Sequence, residues 1–357
     1  MLLLLPVVPL HAASPARDIP TNLLATLDAL AAAVRAGDAD AYRALVDDSD
    51  PLFVREHDGW IEDWAGPHPV AAFDLHADNI RFDGDTAQLD LTLTWTLPDD
   101  PRERQATYPA LFRRGTDGVW RYAGEAWVTV EIAHFRVYAF PGMEGYARGL
   151  AVLLPSVYKH ATQSLQHTPD GITTIKLYAD PWALAATTRL SLPPIQGWNE
   201  PGESIKLRVE PDHLPHAYTL THEYTHAVMF DMAGTTIGRW PWWLAEGVAE
   251  YVGSRYWPPE RTAERMGWVR EWAAGGQLVA WDTISDFSTA PQDLWPYVYP
   301  QGYAFVRYVT ETFGPEQRNV WLESMARDQD LPDATEAVLG LPFEALDRNF
   351  RAWLADH

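Results

Sequence analysis

Two histidines four residues apart with a glutamate between them, His222-Glu223-Tyr224-Thr225-His226, constrain this chain more than any other stretch of its 357 residues. Residues four apart share one face of an α-helix, so both imidazoles can be directed at one ion while Glu223 sits beside them to reach a water. Such a site requires a helix and a third donor brought from elsewhere. The chain has no cysteine, so disulfides, thiolate ligands and cysteine nucleophiles are excluded and His and carboxylates must hold any metal.

The third donor is expected in "PWWLAEGVAEY", Pro241 to Tyr251, a second amphipathic segment about 20 residues downstream that carries Glu246. Two His and one Glu leave the fourth position of Zn2+ open, as a catalytic site requires. Glu250, one helical turn after Glu246, can accept a hydrogen bond from the distal nitrogen of a ligand histidine. His213 and His216 read as capping or surface groups in the loop before the helix, and Trp240, Trp242 and Trp243 as packing beneath the site.

These two motifs together resemble the gluzincin metallopeptidases, the peptidase MA-like group that includes thermolysin and the zinc aminopeptidases, over roughly Val137 to the C-terminus. The resemblance implies Zn2+ held by His222, His226 and Glu246, with Glu223 as general base. "YPQGYAFVRYV", Tyr299 to Val309, is similar to the Y-x-K-G helix start of the aminopeptidases, which implies that Tyr299 donates a hydrogen bond to the oxyanion; Tyr297 and Tyr303 lie close enough to compete. "GWNEPGESIKL" resembles the aminopeptidase G-x-M-E-N strand and makes Gly197 and Glu200 substrate-binding candidates, although Asn199 replaces Met and Pro201 replaces Asn.

Upstream, "NLLATLDALAAAVRAGDADAYRALV" has apolar positions at helical spacing broken at Gly37-Asp38, which predicts two helices. "DLHADNIRFDGDTAQLDLTLTWTL" and "YPALFRRGTDGVWRYAGEAWVTVEI" alternate apolar and polar residues between glycine-containing turns, which predicts a curved antiparallel sheet. The "GDADAY" break and "DGVWRY" strand pair resemble the nuclear-transport-factor-two-like (SnoaL-like) superfamily, implying a cone-shaped α+β domain over 18–131. After a strand ending at Phe140, one helix of about 20 residues is expected, then strands at "GITTIKLYAD" and Ser204 to Val209, and mostly helix from Pro215.

The 27 Lys and Arg against 49 Asp and Glu give a net charge of -22, which repels nucleic acid and anionic membranes. No window reaches the roughly 18 apolar residues of a membrane span. The apolar run Leu2 to Leu10, followed by small residues, reads as a signal peptide over 1–17 and leads to an expectation of export to the periplasm or medium. The expected protein is therefore α+β: a cone-shaped domain at 18–131, then a gluzincin domain at 132–357 with a small sheet and a mainly helical C-terminal part. Its expected activity is zinc-dependent hydrolysis of peptide bonds in a peptide or protein substrate. A hydrolase of a non-peptide amide or ester would use the same residues, and a binding protein on this scaffold would keep the ligands without needing Glu223.

Overall fold

A computed structural model describes residues 21–209 and 214–356, so the leader-like residues 1–17 and His213 lie outside the described residues. Three helices come first: α1 (Thr21–Ala36), α2 (Ala39–Arg43) and α3 (Pro51–Ala65). Gly37 has φ of 67°, a left-handed conformation that glycine adopts without penalty, and Asp38 caps α2 by accepting from the Ala41 amide. Helix α3 was not evident in the sequence pattern, although Asp50 caps it and Pro51 opens it.

These helices pack on an antiparallel meander of β1 (Ala72–Asp83), β2 (Thr86–Leu97), β3 (Asp100–Arg114) and β4 (Trp120–Glu125). Alternation sets the buried face: Ala87, Leu89, Leu91, Leu93 and Trp95 of β2 all point inward, as period-two patterning requires. The chain enters a second sheet at β5 (Val128–Ile132), a few residues before the expected division at 131. That sheet continues with β6 (Phe135–Ala139), β7 (Thr173–Tyr178), β8 (Gly197–Trp198) and β9 (Ile205–Arg208) in the order β5-β6-β7-β9-β8. Between β6 and β7 the chain forms two helices where one was expected, α4 (Glu144–Leu150) and α5 (Leu154–Leu165), because Pro155 starts a new helix. A short helix, α6 (Pro181–Thr188), follows β7.

The central strands β7 and β9 of the second sheet are buried on both faces. Ile175 and Leu177 of β7, with Ile205 and Leu207 of β9, join the C-terminal hydrophobic core. The alternate residues Lys176 and Lys206 face the N-terminal layer, where they meet Glu56 of α3. Lys176 lies 2.5 Å from Glu56 and 3.6 Å from Glu125, while the Ser204 amide and hydroxyl also donate to Glu56. All of these groups are buried. Indole N–H groups add to the seam: Trp60 donates to the Ala186 carbonyl and Trp95 to that of Leu190.

The rest is helical: α7 (Leu214–Ala233), α8 (Trp242–Gly253), α9 (Pro259–Ala274), α10 (Trp295–Phe313), α11 (Pro315–Ala326), α12 (Leu331–Ala334) and α13 (Phe343–Asp356). His216 falls in the first turn of α7 rather than in a preceding loop. Helices α8 and α10 cross at two glycines. A Cβ on Gly247 would lie 2.5 Å from the Gly302 carbonyl carbon, and one on Gly302 would lie 2.3 Å from the Trp243 carbonyl oxygen. Among the described residues no helix is long and apolar enough to cross a membrane.

Two stability predictions arise here. Burial opposes charge on Glu56, but Lys176, Lys206 and their hydrogen bonds overcome it and hold the carboxyl at about 2 against 4.5 when exposed. The cluster therefore stabilises the fold fully above about pH 4.5 and loses that contribution as the pH falls toward 2. Lys176→Met, which takes the nearest cation from buried Glu56 and Glu125, should cost about 3–5 kcal/mol in urea unfolding at neutral pH. A loss below about 1 kcal/mol would show that the ion cluster does not hold the layers. Gly302→Ala should cost at least about 1–3 kcal/mol by forcing α8 and α10 apart, and an unchanged urea midpoint would contradict the close crossing.

Candidate metal centre

Helix α7 runs for 20 residues between the second sheet and α8, with buried residues on nearly all sides at its middle. Thr221 and Thr225 are tolerated there because each hydroxyl donates to the carbonyl one turn back, of Ala217 and Thr221. His222, Glu223 and His226 are each buried, with 7–8% of their surface exposed. Their side chains turn toward α8, which presents Glu246.

The donor atoms converge tightly. His222 Nε2 and His226 Nε2 are 3.2 Å apart, and Glu246 Oε2 lies 3.2 Å from the first and 3.4 Å from the second. Donors bound about 2.0–2.1 Å from a tetrahedral zinc ion stand about 3.3 Å from one another, so the three atoms already outline one face of such a shell. Among the described residues this is the cluster able to hold a metal ion. Glu246 Oε1 is engaged separately, accepting from Trp242 Nε1 at 3.1 Å, which turns Oε2 toward the imidazoles.

Electrostatics favour a cation here. Burial disfavours a charged imidazole, yet the Glu246 hydrogen bond and the charges of Glu246, Glu223 and Glu250 raise His222 to about 9. Burial likewise works against the Glu246 carboxylate, but His226 and His222 draw it far below the ordinary carboxylate range. Glu223 goes the other way: burial raises its pKa and Glu246 adds to that, against the pull of the two histidines. A carboxylate with a raised pKa is a better proton acceptor than an ordinary one.

Glu250 lies behind His222, with Oε1 3.6 Å from Nδ1, too long for a hydrogen bond; its firm partner is the Tyr218 hydroxyl. His222 Nδ1 and Glu250 Oε2 are buried without hydrogen-bond partners. An ion on Nε2 would fix Nδ1 as N–H and give Glu250 a donor to accept from.

A cleft of about 530 Å3 opens onto the cluster, and Tyr299 of α10 lines it together with Gly197, Glu200 and the three ligand residues. Its ring centroid lies 6.4 Å from that of His222, and burial lifts its hydroxyl pKa well above the usual value. The rival tyrosines point elsewhere, Tyr297 packing on Trp272 and Tyr303 on Trp257. The glycine crossing explains this placement, since Gly247 follows the ligand Glu246 and Gly302 sits one turn after Tyr299.

Gly197 stands against the general-base candidate: a Cβ there would lie 2.3 Å from Glu223 Oε1. Asn199 Nδ2 donates to the Glu223 carbonyl at 3.0 Å. Glu200 lines the cleft, but its carboxylate is held at 2.7 Å by Arg189. Three contributors were not singled out from the sequence as site residues. Trp242 and Tyr218 each stand four residues before a site residue, Glu246 and His222, so helical spacing carried a signal for both. For Asn199 the sequence carried no signal, because its contact depends on how β8 meets α7.

Residues 202–356 match the family model of the Peptidase MA superfamily, a segment that contains both histidines, Glu223, Glu246 and Tyr299. No curated protein matches the chain. The match supports a peptidase-like hydrolase scaffold for this segment, consistent with an α+β protein whose C-terminal part is mainly helical.

Proposed function

We propose that this protein is a zinc-dependent peptidase in which His222, His226 and Glu246 hold the ion and Glu223 acts as general base. The convergence of three donor atoms at 3.2–3.4 Å beside a buried carboxylate carries this reading. When bound, zinc supplies Lewis acidity that brings the pKa of water down to about 7 and polarises a carbonyl.

The chain's own groups do the remaining work. Glu223 accepts a proton from the attacking water and delivers it to the nitrogen of the leaving amine. Its carboxylate is confined by the Gly197 backbone on one side, and Asn199 ties down its main chain, so little reorganisation is needed at reaction. Tyr299 donates its hydroxyl hydrogen to the oxygen on which negative charge develops. The two-residue strand β8 is the edge of its sheet and lines the cleft, where its main chain is placed to pair with an extended peptide; this favours a peptide over an isolated ester. The N-terminal helices and meander fit the cone-shaped nuclear-transport-factor-two-like reading of that region.

Protein purified without added metal should contain one zinc per chain by elemental analysis, and His226→Ala should lose most of it. Equal trace amounts in both would refute the ligand set. Glu223→Gln should keep zinc yet lower kcat on a cleaved peptide by at least about 100-fold, whereas retained turnover would exclude the proposed base. Tyr299→Phe should lower kcat by roughly 100-fold with KM little changed, since the bond strengthens only in the transition state; a larger loss in Tyr297→Phe or Tyr303→Phe would move the role there.

A further inference from the structure

The space around Glu223 does not end at the cleft already described. On the other side of His222 and Glu223, sharing Gly197 and Tyr299 with it, a second lobe of about 450 Å3 is lined by Gln196, Arg208, Tyr218, Glu250 and Arg261. The two lobes differ in chemistry. The first presents Trp198, Phe230, Trp242 and Phe287, and its one guanidinium, Arg239, is paired with Asp328. The second is lined by two arginines, Arg208, which has interactions of its own, and Arg261, in a chain of net charge -22.

Arg261 is held in an unusual way. Its guanidinium carbon sits 4.7 Å from the Tyr218 ring centroid and 5.0 Å from that of Trp257, and among the described residues it forms no ion pair. Arg265, one turn further along α9, stacks on Trp257 at 5.5 Å, so both cations are braced on the same indole. A guanidinium held against aromatic rings keeps its N–H donors, and an arginine with no carboxylate partner can take one in bidentate fashion. Of the two acids sharing this lobe, Glu250 accepts from the Tyr218 hydroxyl through Oε1 and Glu223 belongs to the site, and neither forms an ion pair with Arg261.

We propose that Arg261 is a specificity-determining residue that binds a carboxylate of the substrate, so that the protein selects peptides with an acidic group on one side of the scissile bond and an apolar side chain on the other. This rests on the peptidase reading for the cleavage, though not for the binding. The carboxylate can belong to an Asp or Glu side chain or to the free end of a peptide. Both present the same planar anion.

The test uses N-acetylated, C-amidated heptapeptides in which one Glu is stepped along both sides of a central Phe, each with a Gln twin and a free-acid twin. Affinity is measured by calorimetry on the full-length Glu223→Gln protein, and cleavage on the unmodified protein. At one position Glu should bind about 10- to 100-fold more tightly than Gln, the range expected of a charge-assisted pair. Arg261→Gln should abolish that difference, and Arg261→Lys should keep part of it, with zinc content and melting temperature as controls for folding. If the gain follows the free C-terminal acid instead, Arg261 binds the chain end. Equal affinity for acidic and neutral twins throughout, no binding of any peptide, or a gain that survives Arg261→Gln overturns the proposal. A gain in binding that depends on Arg261 but comes with no cleavage leaves the carboxylate site standing and overturns the peptidase reading alone.

Discussion

The crossing of α8 and α10 at Gly247 and Gly302 is the constraint on which the candidate site depends. With a Cβ at either position already inside the contact distance of the opposing backbone, the two helices pack closer than side chains normally allow. Glu246 rides on one helix and Tyr299 on the other, so their separation is set by backbone against backbone. A site assembled from different helices gains when the main chains that carry its side chains are themselves in contact.

The second organising element is the buried ion cluster of Glu56, Lys176 and Lys206. Burying such charges costs several kcal/mol per ion unless they are paired and hydrogen-bonded, and a purely apolar seam would have served stability as well. What the cluster adds is registry. Glu56 accepts from the Ser204 amide at 2.9 Å, just before β9 and a few residues after β8, Asn199 and Glu200. The N-terminal layer thereby fixes the height of the strand pair that borders the cleft. The segment matched by the peptidase family begins at residue 202, yet its Lys206 is neutralised in part by Glu56 from outside that segment.

Much of this was legible in the sequence where the determinant was local. The His222 and His226 spacing, the Glu246 segment, the α1 and α2 break at Gly37 and the alternation of β2 each rest on periodicity within one element. Helix α3 was missed because its face mixes Phe53, Trp60 and Trp64 with buried Glu56, His57 and Asp63. Two of those polar residues find partners far along the chain, Lys176 for Glu56 and Ser191 for Asp63. The single expected helix after Phe140 became two because Pro155 outweighed continuous apolar periodicity. Trp242 reads as packing from its type, although Glu246, the acceptor of its indole N–H, stands one helical turn away. Arg261 drew no attention in the sequence, since only the fold brings α9 beside α7.

Gly197 puts bare main chain next to the Glu223 carboxylate. A wall made of peptide backbone keeps its chemistry through almost any substitution, because every residue type presents the same amide and carbonyl. Selection acting on the preference of the cleft is then channelled into the flanking lobes, whose aromatic and cationic linings can drift while the surface beside the reacting bond stays as it is. The exception is position 197 itself, where the smallest possible addition, one methyl group, would fill the space the carboxylate occupies.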